Sequence, residues 1–149
     1  MYASSSYILM FLNMSIGCEV KLWDVRNTSK AVTEFIGHTH DVTGCRFTSK
    51  KLLFVNNDNG SMNQYDSLVT VSKDGSLAAW DYKHIKNDDN NKTTSNIAML
   101  KEGKYYTSLS LLSVDDKGLH MAISAFDGTL SFKTLSYRNS NRYEFIDSH

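Results

Sequence analysis

The side chains in this sequence that could do chemistry are few and scattered. His38 and His40 lie close together, with Asp41 next to them, but no cluster of Cys, Asp or Glu completes a metal-ligand set around them. Cys18 and Cys45 each sit inside an apolar, strand-like run. That placement predicts two buried free thiols and fits a reducing compartment, since a disulfide framework would need more cysteines in a chain this size. The sequence carries no nucleophile motif, no Gly-rich phosphate loop and no paired carboxylates in an acid–base context. An enzyme is therefore the least expected class, and neither a cofactor nor a small-molecule substrate is expected.

The totals point the same way. The 149 residues fit one ordinary domain, and Lys+Arg 16 against Asp+Glu 16 leaves no net charge to draw the chain to nucleic acid or an anionic membrane. A hydrophobic content of 41% is enough for a core. The run from Tyr7 to Leu12 could pass for the apolar part of a signal peptide. However, no Lys or Arg precedes it and it is far too short to cross a bilayer, so a buried strand is the expectation. The chain is thus expected inside the cell, in cytoplasm or nucleus, with no membrane partner.

Proline is absent, so turns fall to Gly, Asn, Asp and Ser, as in Asn57-Asp58-Asn59-Gly60, Lys73-Asp74-Gly75, Asp115-Asp116-Lys117-Gly118 and Asp127-Gly128. Between the turns run short segments with period-two patterning: Glu19 to Trp23, Ala31 to Ile36, Val42 to Phe47, Lys51 to Val55, Leu68 to Ser72, Leu77 to Trp80, Thr107 to Val114, Leu119 to Ala125 and Thr129 to Leu135. No stretch carries a helical stripe, and the fold class is all-β. Asp74-Gly75 and Asp127-Gly128 each read as a tight hairpin link. They lie 53 positions apart, which points to repeated four-stranded units. The polar segment 87–96 is expected to be a disordered insertion, and Asn56 to Tyr65 a second insertion within one unit.

Two stretches resemble WD repeats. One is Glu19-Val20-Lys21-Leu22-Trp23-Asp24-Val25-Arg26. The other runs from Gly37-His38 through Val42-Thr43-Gly44-Cys45-Arg46-Phe47 to Ser72-Lys73-Asp74-Gly75-Ser76-Leu77-Ala78-Ala79-Trp80-Asp81. The resemblance implies a WD-repeat β-propeller in which His38, Ser72, Asp74 and Trp80 form a buried, hydrogen-bonded structural tetrad. Physics favours keeping the four together, because a buried carboxylate and imidazole are tolerable only when each has a partner, and an indole N–H also needs one. The flanking units depart from the pattern. Before Trp23, Ser15 matches the tetrad Ser but Gly17 stands where Asp is expected. In the last unit Lys133-Thr134 replaces Trp-Asp, and Lys101-Glu102 stands where Gly-His should be. The resulting division is 7–37 as a partial blade, 38–100 as a blade carrying the insertion 87–96, and 101–147 as a degenerate blade. About three blades cannot close a propeller, so an incomplete one is expected: a fragment, a divergent gene product or a part completed by another polypeptide.

The resemblance also implies function. WD proteins bind other proteins through loops at one end of the propeller, where Asp41, Thr43 and Lys73 would be exposed. Leu68 to Gly75 with Trp80, the polar insertion and Lys104-Tyr105-Tyr106 are similar to the tandem-propeller WD proteins of the nucleolar small-subunit processome. This implies a non-catalytic scaffold in a multiprotein complex of ribosome biogenesis, with RNA association indirect or through surface Lys and Arg. Trp23-Asp24-Val25-Arg26 resembles the box of substrate receptors of a cullin-type ubiquitin ligase, in which Arg26 would reach the adaptor. A generic trafficking or signalling scaffold is a third alternative.

Overall fold

The computed structural model describes residues 10–14, 18–48, 52–55, 62–65, 67–81, 93–94, 96–138 and 142–148. Every regular element among them is a strand, and the strands form three four-stranded sheets and one separate hairpin. The first sheet holds β1 (Met10–Met14), β2 (Glu19–Asp24) and β3 (Thr33–Ile36). The second is built from β4 (Val42–Phe47), β7 (Ser67–Ser72), β8 (Ser76–Asp81) and β10 (Asn96–Lys101). In the third, β11 (Tyr106–Asp115), β12 (Gly118–Ala125), β13 (Leu130–Arg138) and β14 (Arg142–Asp147) pair in chain order. The hairpin joins β5 (Leu52–Val55) to β6 (Met62–Tyr65). All pairings are antiparallel except that of the two-residue β9 (Thr93–Thr94), which runs parallel to β3 along the edge of the first sheet.

The two Asp-Gly turns form as their chemistry demands. Gly75 and Gly128 have φ of 78° and 81°, a region in which glycine alone carries no Cβ penalty, and they link β7 to β8 and β12 to β13.

Hydrogen-bonded ladders run within sheets, so the sheets adhere through side chains. Alternation along β7 and β8 sorts the second sheet into two apolar faces. Val69, Val71, Leu77 and Ala79 join Tyr106, Leu109, Leu119, Met121, Ile123 and Leu135 of the third sheet in one cluster. Leu68, Ala78 and Trp80 join Val20, Leu22 and Phe35 of the first sheet in another. Every residue of β7 and β8 is buried as a result. Full burial of a Trp, Phe or Leu side chain contributes about 1.5–3 kcal/mol, so these two layers outweigh the few polar bonds between sheets. One such bond is donated by Thr43 Oγ1 of β4 to the Tyr106 carbonyl of β11 at 2.8 Å.

Several expectations need correction. Leu52–Val55 is a strand as expected, and it pairs with Met62–Tyr65 in a separate hairpin between β4 and β7, so the insertion within this sheet begins at Leu52, ahead of the expected Asn56. Asn96 belongs to β10, where it pairs with Trp80, and Thr93–Thr94 is β9. Residues 87–92 lie outside the described residues, as do Tyr7–Leu9, Asn56–Ser61, Ser15 and Gly17. Cys45 is buried, but Cys18 is exposed, since it precedes β2 and escapes the alternation that buries Val20 and Leu22. No helix among the described residues is long and apolar enough to cross a membrane.

Candidate functional site

The buried polar centre of the molecule lies where β7, β8 and the segment before β4 meet. His38 Nδ1 is 2.7 Å from Ser76 Oγ, and His38 Nε2 is 2.7 Å from Thr70 Oγ1. Trp80 Nε1 donates to the same Thr70 oxygen at 2.9 Å. Ser76 Oγ in turn donates to Asp74 Oδ1, whose carboxylate also accepts from the Ser76 amide at 2.8 Å and the Thr39 amide at 2.6 Å. Donor and acceptor bookkeeping then fixes every direction. Because Ser76 gives its proton to Asp74, it accepts from His38 Nδ1–H. Nε2 is therefore the bare nitrogen, and it accepts from Thr70, which accepts from Trp80. The chain reads Trp80, Thr70, His38, Ser76, Asp74, with every step satisfied.

The electrostatics agree. Burial pushes the His38 imidazole below its ordinary value and outweighs the pull of the Asp74 carboxylate, 3.7 Å away, so the ring is neutral at neutral pH. Burial raises Asp74, but the hydrogen bonds from Ser76 and Thr39 overcome it and hold the carboxyl well below the usual range. A neutral imidazole and an ionised carboxylate are the states this network requires. Each side chain from Trp80 to Asp74 therefore has a hydrogen-bond partner within the network.

Three members expected from sequence, His38, Asp74 and Trp80, are brought together, and the fourth is corrected. Ser72 does not link His38 to Trp80; it donates to the His40 and Asp41 carbonyls at 2.9 Å each and accepts from the Asp74 amide at 3.1 Å. The reason is reach. Leu68 faces Trp80 across the ladder, and Thr70 is its diagonal neighbour, within range of an indole. Ser72 is a further two residues along and out of range. Strand parity together with that diagonal rule is the signal that could have identified Thr70.

The candidate partner-binding residues are largely engaged with their own protein. Lys73 Nζ pairs with Asp41 Oδ2 at 2.9 Å, which raises the lysine and lowers the carboxylate. Thr43 is half-buried and bridges the Tyr106 and Val71 carbonyls. Arg26 grips Asp24, with Nη2 to Oδ2 at 2.6 Å and Nε to Oδ1 at 2.9 Å, and these bonds bring the Asp24 pKa down to about 2. What the sequence left unnoticed lies beside Lys73. Tyr105 is 42% exposed and Phe126 79% exposed, with ring centroids 5.5 Å apart, and Lys73 Nζ sits 5.6 Å from the Tyr105 centroid. The Phe126 amide donates to the Tyr105 carbonyl at 2.8 Å, so the two rings are held on joined backbone. An aromatic residue directly before an Asp-Gly turn was the available signal.

Among the described residues no group of three or more His, Cys, Asp or Glu is placed to hold a metal. Burial pushes the Cys45 thiol up to about 12, which makes it inert. No protein-family model matches this chain, and no curated protein sequence matches it significantly.

Proposed function

We infer that this chain is a non-catalytic scaffold of the WD-repeat type, part of a β-propeller, and that it binds other proteins in a multisubunit complex. The observation that carries this reading is the satisfied network from Trp80 to Asp74. It spends the chain's best chemical groups on pinning one turn and two strands, and leaves recognition to the loops around it. Those loops carry Lys73, Asp41, Tyr105 and Phe126, an exposed aromatic pair with a charged rim, which is the composition of interaction hot spots.

The complex in which we place the chain first is a pre-ribosomal one, on the similarity carried by Leu68 to Gly75, Trp80 and Lys104 to Tyr106. The test is affinity purification of the tagged protein followed by sedimentation. Recovery of a fixed set of proteins that sediments with pre-ribosomal particles is expected, and recovery of the chain by itself would overturn the scaffold reading. Co-purification with a different assembly would keep the scaffold and discard ribosome biogenesis. The ubiquitin-ligase alternative needs Arg26 free to meet an adaptor, whereas Arg26 is committed to Asp24. Accordingly Arg26→Ala should leave the recovered partners unchanged, and loss of a ligase adaptor in that variant would revive the alternative.

A further inference from the structure

We propose that Glu102 and Lys133 form an electrostatic latch that takes the place, in the third sheet, of the His38–Trp80 centre of the second, and that this latch holds Tyr105 beside Phe126. The proposal does not rest on the functional reading above, since it follows from register and contacts alone.

The equivalence is positional. Trp80 stands six residues after Asp74, and Lys133 six after Asp127. In the ladders Leu68 faces Trp80 and Met121 faces Lys133. His38 lies four residues before Val42, which pairs with Ser72, while Glu102 lies four before Tyr106, which pairs with Ala125. Both inner strands then carry a bulge at the same step, Val42/Gly44 and Tyr106/Ser108. The turns match as well: Thr129 donates from its amide and its hydroxyl to Asp127 Oδ1, as Ser76 does to Asp74. At two matched sites an imidazole and an indole joined through a hydroxyl have thus been replaced by a carboxylate and an ammonium in direct contact. One further position changes with them. A Cβ on Gly37 would come within 2.9 Å of the Trp80 ring, whereas the matching position before Glu102 is Lys101, the last residue of β10.

Lys133 is almost fully enclosed, its side chain 4% exposed, and is satisfied by Glu102 on one side and Asp147 of β14 at 2.7 Å on the other. The second Glu102 oxygen accepts from the Tyr106 hydroxyl at 2.7 Å. Glu102 sits at the head of the segment that crosses from β10 to β11, and its amide donates to the Gly75 carbonyl at 3.0 Å. Lys104 passes so close to Gly75 that a Cβ there would meet its backbone at 2.8 Å. Next comes Tyr105, whose carbonyl receives the Phe126 amide. The segment is therefore wedged between the turns of two sheets, and the Glu102 carboxylate fixes its entry to the interior. When that carboxylate is neutralised, Lys133 keeps Asp147 and no orphan charge remains. The crossing segment loosens while the third sheet stays folded.

Amide hydrogen exchange tests the latch. In Glu102→Gln, the amides of Glu102 and Phe126 should exchange about tenfold faster or more, with β7 and β8 unchanged. Lys133→Met should do the same, and Glu102→Gln with Lys133→Met should add little to either. Asp147→Asn, which removes the other carboxylate, should loosen β14 and leave Glu102 and Phe126 protected. Unchanged exchange at those two amides in Glu102→Gln would overturn the proposal, as would full additivity in the double variant. If Lys133→Met does not fold, the contrast of Glu102→Gln with Asp147→Asn decides the matter.

Discussion

Thr70 joins two buried groups that cannot find other partners, the Trp80 N–H and the bare His38 nitrogen. Thr70→Val keeps the shape and orphans both, at a cost of about 2–5 kcal/mol. Ser72→Ala removes bonds to half-buried carbonyls and should cost about 1 kcal/mol. Denaturant midpoints of the two variants decide which hydroxyl belongs to the network, and a larger loss in Ser72→Ala would reverse the assignment. The neutral state of His38 sets a pH dependence. Its folded pKa lies below its unfolded one, so the unfolded chain binds more protons between the two values. The stability it contributes is fully present above the unfolded value of about 6.5 and is lost as pH falls through the folded value. Melting temperature should decline on acidification from neutrality, and the part of that slope due to His38 should vanish in His38→Gln.

At the scale of the strand and its turn, glycine positions record close approach. Gly37 lies against the edge of the Trp80 indole, and an added methyl group would stand 2.9 Å from Cη2. Gly37→Ala should therefore destabilise by about 1–3 kcal/mol, the usual cost of overpacking. The same substitution made in Trp80→Phe should cost markedly less, because the smaller ring leaves room. A calorimetric double-mutant cycle checks this, and equal costs in both backgrounds would show that the indole is not the obstacle. The Asp-Gly hairpins were legible because turn chemistry is local. The β5–β6 hairpin was not, because whether an apolar run joins a neighbouring sheet depends on distant partners.

Across the whole molecule, the second sheet is an inner layer with apolar faces on both sides, while Phe126 is largely exposed and Tyr105 partly so. Stability and recognition should separate accordingly. Phe126→Asp should leave the denaturation midpoint within about 0.5 kcal/mol of the parent, as for surface substitutions generally. It should also sharply reduce recovery of the partner proteins. A large loss of stability would place Phe126 in the fold, and unchanged recovery would move recognition elsewhere.

By itself the sequence determined the strand alternation and the two Asp-Gly hairpins, because period and turn type are written along the chain, and its resemblance to WD repeats implied the company of His38, Asp74 and Trp80. Only the tertiary structure decided that Thr70, rather than Ser72, completes that centre, and that Glu102 meets Lys133 across 31 positions. It also decided that Tyr105 comes to rest against Phe126. Each of these depends on cross-strand register or on how one sheet stacks on the next. The first follows from hairpin register and the diagonal reach of the indole, which motif spacing alone leaves out, and the others are set by the packing of residues far apart in sequence.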